Sequence, residues 1–192
     1  MKNFFAGLAF AVATFTTQAA VVEFVTSSKT VHLGDEVTMS IFGTGFPASL
    51  IQGGGFDISI SNVGVVQFES LAGPPPVADV TFAPVWSFIT DPGTLNLATG
   101  TVTELNFNAF PGVFGPDFAI LQLKFKALAL GTTDIVLTPN AFTFGTDGQR
   151  ITPEFLKGEI VVVPEPATWV LSTAGLLLVA WIGVRRNQNL EG

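Results

Sequence analysis

A single histidine, His32, and no cysteine stand among the 192 residues. Thiol catalysis, disulfides and cysteine-based zinc sites are therefore excluded. A Ser-His-Asp relay would have to use His32, but no Gly-x-Ser-x-Gly elbow occurs. Beside the Gly34 turn, His32 reads more simply as a polar residue at a strand edge. Asp35, Glu36, Asp57, Glu104 and Asp117 would suit glycoside hydrolysis if two of them faced each other. None sits in a recognisable pattern, and Asp57 falls on the outward side of its run. These carboxylates read as solvated or turn residues. Thr146-Asp147-Gly148-Gln149 resembles part of a calcium loop, but the alternating acids and closing Glu are missing. A tight turn fits it better. No catalytic residue, metal ligand or cofactor is assigned.

Aromatic residues offer binding chemistry instead. There are 19 Phe, 3 Trp and no Tyr. The segment Ala72–Gly93 holds Pro74-Pro75-Pro76, Pro84, Trp86, Phe88 and Pro92. An exposed Trp86 beside Phe88 would stack on sugar rings or on a partner. Buried, the same residues would close one end of a core, as hydrophobic side chains of this size usually do. The stretch Phe107–Phe118 poses the same choice.

The elements that must position these residues are strands. Val37, Met39 and Ile41 alternate with polar residues, as do Phe56, Ile58 and Ile60, then Leu105, Phe107 and Ala109. The clearest run is Leu121, Leu123, Phe125 and Ala127, set against Gln122, Lys124 and Lys126. Period two is the strand signature, and no stretch keeps a 3.6-residue period over helix length. Further candidates are 22–26, 65–69, 95–98, 133–137, 141–144 and 158–163. Turn signals separate them at Leu33-Gly34-Asp35, Gly53-Gly54-Gly55, Pro74-Pro75-Pro76, Asp91-Pro92-Gly93, Gly115-Pro116-Asp117, Gly131 and Thr146-Asp147-Gly148. Short strands with one apolar face each predict an all-β, two-sheet antiparallel sandwich or jelly roll. A closed barrel is the alternative.

Both ends differ from this body. Met1-Lys2-Asn3, an apolar run from Phe4 to Phe15 and the small-residue stretch ending Ala19-Ala20 predict a signal peptide over residues 1–19, cleaved after Ala19 or Ala20. The body then spans 20–163, with 13 acidic and 5 basic side chains. Such a surface repels phosphate backbones, which argues against nucleic-acid partners. After it, Ala167–Val184 carries no charge over 18 residues. As a helix it would span about 27 Å, enough for a thin bilayer core. Trp169 and Trp181 lie near its ends, and Arg185-Arg186 follows as a positive stop. The expectation is one transmembrane helix at 167–184 within a tail of 164–192, with the body outside.

Before that run, Val163-Pro164-Glu165-Pro166 blocks both helix and central strand. This proline pair, the apolar segment and the terminal arginines together resemble the PEP-CTERM sorting domain of Gram-negative bacteria. The resemblance covers about 25 residues. It implies recognition by exosortase, an integral-membrane processing enzyme, then transfer to the cell surface or the exopolysaccharide matrix.

The body resembles the cohesin-like β-sandwich over about 130 residues. Leu33-Gly34-Asp35-Glu36 leads into Val37–Ile41; Ile51-Gln52-Gly53-Gly54-Gly55-Phe56-Asp57-Ile58 follows. Phe118–Lys126, Gly131, Ile135-Val136-Leu137 and the closing Gly158-Glu159-Ile160-Val161-Val162 complete the pattern. The family often carries a Tyr-Asp-Pro turn where this chain has Phe56-Asp57-Ile58. The resemblance implies a non-catalytic binding or adhesion module. Its partner would be a surface protein or an exopolysaccharide. Rival readings are a carbohydrate-binding module with Trp86 as platform, or a secreted hydrolase.

Overall fold

The computed structural model describes residues 19–73, 75–146 and 149–165. Among these residues every regular element is a strand. The first five are β1 (Val21–Phe24), β2 (Ser28–His32), β3 (Glu36–Thr44), β4 (Leu50–Ile60) and β5 (Val66–Phe68). Short pieces follow: β6 (Ser70–Leu71), β7 (Val77–Ala78), β8 (Val80–Phe82), β9 (Ile89–Asp91) and β10 (Thr94–Asn96). The long β11 (Thr101–Phe114), β12 (Phe118–Ala127) and β13 (Gly131–Pro139) come next. The chain closes with β14 (Phe144–Thr146), β15 (Gln149–Ile151), β16 (Glu154–Phe155) and β17 (Gly158–Val163).

Two sheets face each other. The first runs β16-β1-β3-β12-β5, with β8 also on β12; the second runs β10-β11-β4-β13-β17-β2, with β9 on β11 and β14 on β4. Alternation drives this arrangement. In β3, Val37, Met39 and Ile41 are buried while Glu36 and Thr38 are exposed. Phe56, Ile58 and Ile60 do the same from β4, so two apolar faces close on one core.

Three expectations change. The pairing is not wholly antiparallel: β1 pairs β16, and β2 pairs β17, in parallel. Gly53-Gly54-Gly55 is not a turn but the middle of β4. A Cβ on Gly54 would stand 2.7 Å from the Phe144 ring, and one on Gly53 would stand 2.4 Å from the Phe107 carbonyl. Glycine is needed there for close approach rather than for chain reversal. Of the run 141–144 only Phe144 is in a strand; Asn140 accepts the Phe142 N–H instead (2.9 Å), forming a loop over Gly55.

The chain enters and leaves at opposite ends of the sandwich. Val21 opens β1 opposite Thr44, the last residue of β3. Val163 closes β17 opposite His32, one turn before β3 begins, and its carbonyl accepts the Leu33 N–H (3.1 Å). We call these the entry end and the exit end.

Candidate interaction surface

Asp35, Asp57 and Asp117 turn their carboxylates to the backbone. Asp57 Oδ1 accepts the Glu104 N–H (2.8 Å) and an Asn140 Nδ2–H (3.2 Å). Glu104 lies at φ 62° in the bulge where β11 slips against β4 between Val102 and Leu105. A left-handed glutamate costs about 1–3 kcal/mol, which the Asp57 bond helps to offset. Asp117 Oδ1 accepts the Gly45 N–H (3.0 Å) across the entry end. Asp35 Oδ2 accepts the His32 N–H (2.9 Å) and lies 3.4 Å from His32 Nδ1. The histidine therefore closes its turn from the end of β2, as its sequence position implies. Among the described residues no three His, Cys, Asp or Glu side chains converge on a metal-sized site.

Two close ion pairs lie on the outer sheet faces. On the first sheet Lys124 Nζ donates to Asp79 Oδ2 (2.7 Å); that hydrogen bond and the Asp79 charge hold the Lys124 ammonium above its ordinary pKa. On the second sheet Lys157 donates to Asp134 (2.7 Å), with the same effect. A shallow groove of about 440 Å³ crosses the first face between Val25, Phe42, Pro84 and Ala119.

Of the two readings of Trp86, burial holds and the stacking platform does not. It is 3% exposed, and its indole N–H donates to the Ala119 carbonyl (2.8 Å). Its ring packs on Phe107 (4.6 Å between centroids) and Phe118 (5.5 Å). The satisfied N–H and two aromatic neighbours make it core, closing the sandwich between β8 and β9.

The exposed aromatic surface lies next to it. Phe88, Phe110 and Phe114 are 65%, 80% and 71% exposed, with Ile89 beside them. The backbone beneath is fixed: Phe88 N–H donates to the Asn108 carbonyl, Ile89 pairs Asn108, and Phe114 pairs Leu50. Because Leu50 begins β4 near Phe46, and the Phe46 N–H donates to Pro116, this rim belongs to the entry end. Phe88 and Phe110 stand 6.3 Å apart, tilted at 45°. The choice left open for 107–118 divides: Phe107 is core and Phe110 is outward. Phe88 precedes β9 in a proline-rich segment without alternation to orient it.

Of the sorting residues, Val163 is half-buried at the exit end and Pro164 and Glu165 are exposed. Ala19 is exposed and Ala20 half-buried at the entry end. Pro166, Arg185, Arg186, the run 167–184 and the leader 1–18 lie outside the described residues. Among the described residues no helix is long and apolar enough to cross a membrane.

No family model matches the chain, and no curated protein matches it. Solved structures do. The seventh ScaB type I cohesin from Pseudobacteroides cellulosolvens is 15% identical, with TM-score 0.55, covering 77% of this chain and 94% of that one. A non-cellulosomal cohesin from the hyperthermophilic archaeon Archaeoglobus fulgidus is 13% identical, with TM-score 0.57, covering 76% and 92%. A chain of the Coh-OlpC-Doc435 complex, a type I cohesin-dockerin complex from Clostridium thermocellum, is 14% identical, with TM-score 0.54, covering 81% and 100%. The body is thus an all-β sandwich with the cohesin fold.

Proposed function

We propose that this chain is an exported, non-catalytic binding module of the cell surface or extracellular matrix, which meets a protein partner through its entry-end phenylalanines. The observation that carries the binding half is the rim of Phe88, Phe110 and Phe114, solvent-exposed on and beside β11. Soluble monomers rarely keep large aromatic groups clustered in water, and such clusters mark interaction sites. A protein fits better than a sugar chain. Phe88 and Phe110 are tilted at 45° and present no common plane for stacking along a glycan. A solved neighbour of the same fold stands in a cohesin-dockerin complex, which supports a protein as the partner class. Folded Phe88→Ser/Phe110→Ser protein is expected to lose its surface partner in co-purification from the envelope fraction. Undiminished recovery would remove the rim from the account.

The export half rests on the two ends. The signal peptide directs the chain out, and 167–184 holds it with the body outside a Gram-negative inner membrane. An exosortase then acts near Val163-Pro164-Glu165-Pro166. The Ala20 carbonyl accepts the Glu154 N–H (2.8 Å), whereas Ala19 is exposed. Cleavage after Ala19 keeps that acceptor, so Ala20 is the expected mature N-terminus. Alanines in place of Pro164-Glu165-Pro166 should leave the protein in the membrane with its tail attached. Normal release would reduce the segment to a spacer.

A further inference from the structure

We infer that the exit end is itself a lipid-contacting surface, which rests upon the bilayer while 167–184 is embedded. The inference rests on the reading of that run as a membrane segment, and adds a role for the folded body.

Three leucines surround the point where the chain leaves. Leu33 is 42% exposed, Leu128 45% and Leu130 52%. They come from two different turns, between β2 and β3 and between β12 and β13. Both turns are tied to the exit strand. The Leu33 N–H donates to the Val163 carbonyl (3.1 Å), and the Gly34 N–H to the Ala127 carbonyl (3.0 Å). Gly131 pairs Val162, and the Leu128 N–H donates to the Val65 carbonyl (2.8 Å). The leucines are therefore carried on a rigid rim around Val163.

The tether is short. Ala167 follows Val163 by four residues, which reach at most about 14 Å when fully extended. β3 alone has nine residues, about 30 Å of strand. The exit end must then lie near the lipid surface, and the entry-end phenylalanines are held far above it. Half-exposed leucines at that height gain by burial among headgroups and upper acyl chains, with the tether supplying high local concentration. The charges there are Asp35, Glu36 and Glu165, with Lys126 3.8 Å from Glu36 and His32 beside Asp35. The acidic excess favours zwitterionic over anionic lipid.

The absence of cysteine permits a clean test. The leader-free chain, residues 20–192, carrying Ala129→Cys and labelled with a fluorophore, is placed in phosphatidylcholine vesicles doped with a lipid bearing a headgroup-level nitroxide quencher. Ala48→Cys, exposed at the entry end, is the reference. The label at 129 should be quenched and the label at 48 should not. Leu33→Ser/Leu128→Ser/Leu130→Ser should abolish quenching at 129 without changing flotation, and phosphatidylglycerol should weaken it. Equal quenching at both labels, or quenching at neither with the protein afloat, overturns the lipid contact alone. Failure to float with vesicles overturns the membrane-segment reading and this inference with it.

Discussion

Phe107 and Phe110 lie three residues apart on β11 and meet opposite surroundings. Phe107 is fully buried, its ring within 4.6–6.4 Å of Trp86, Phe144, Phe56 and Phe82. Phe110 is 80% exposed, with the Phe88 ring as its aromatic neighbour. One strand thus serves both roles, because successive side chains point to opposite faces. The difference separates what holds the sandwich together from what it presents. A phenylalanine inside gains hydrophobic and aromatic contacts; one outside leaves that gain to be made with a partner.

The contrast breaks most directly by truncating each ring. Phe107→Ala should cost about 3–5 kcal/mol in urea unfolding, the usual toll of an emptied aromatic core position. Phe110→Ala should change stability by no more than about 0.5 kcal/mol. Similar losses at both positions would mean that Phe110 belongs to the core.

A much smaller effect sharpens the role of the outer face. Lys124 has its pKa raised from 10.5 by its bond to Asp79 and the Asp79 charge. A raised folded pKa means that the pair stabilises below the unfolded value and loses this contribution as pH rises through the folded one. Lys124→Met should therefore differ from wild type at neutral pH, and the difference should vanish once the lysine is deprotonated. Both groups are partly solvated, so the effect is small. A difference that grows with pH would contradict the pairing.

Much of this was legible in the residues. The alternating runs of β3, β4, β11 and β12 name the inner face before any coordinates, and Gly34, Gly93, Gly115 and Gly131 take positive φ at the expected turns. The misses share a physical cause: their reasons are not local. β2 has one buried apolar residue, Val31, and exists because β17 lies beside it in parallel. Gly53–Gly55 looks like a turn until Phe144 and the Phe107 carbonyl are known to press on it. For Trp86 residue size alone favours burial, and only the fold supplies Ala119 and Phe107 as its partners. The Phe88–Phe110 ring pair is equally non-local, joining the residue before β9 to an irregular stretch of β11.

The most direct test of the account is site-specific photocrosslinking on intact producing cells, with the probe at Phe110 in one strain and at Thr138 in another. Thr138 is exposed on the outer face of β13, opposite Asp57. A discrete protein adduct is expected from position 110 and none from position 138. An adduct from 138 alone, equal adducts from both, or none from either would contradict the assignment of binding to the aromatic rim.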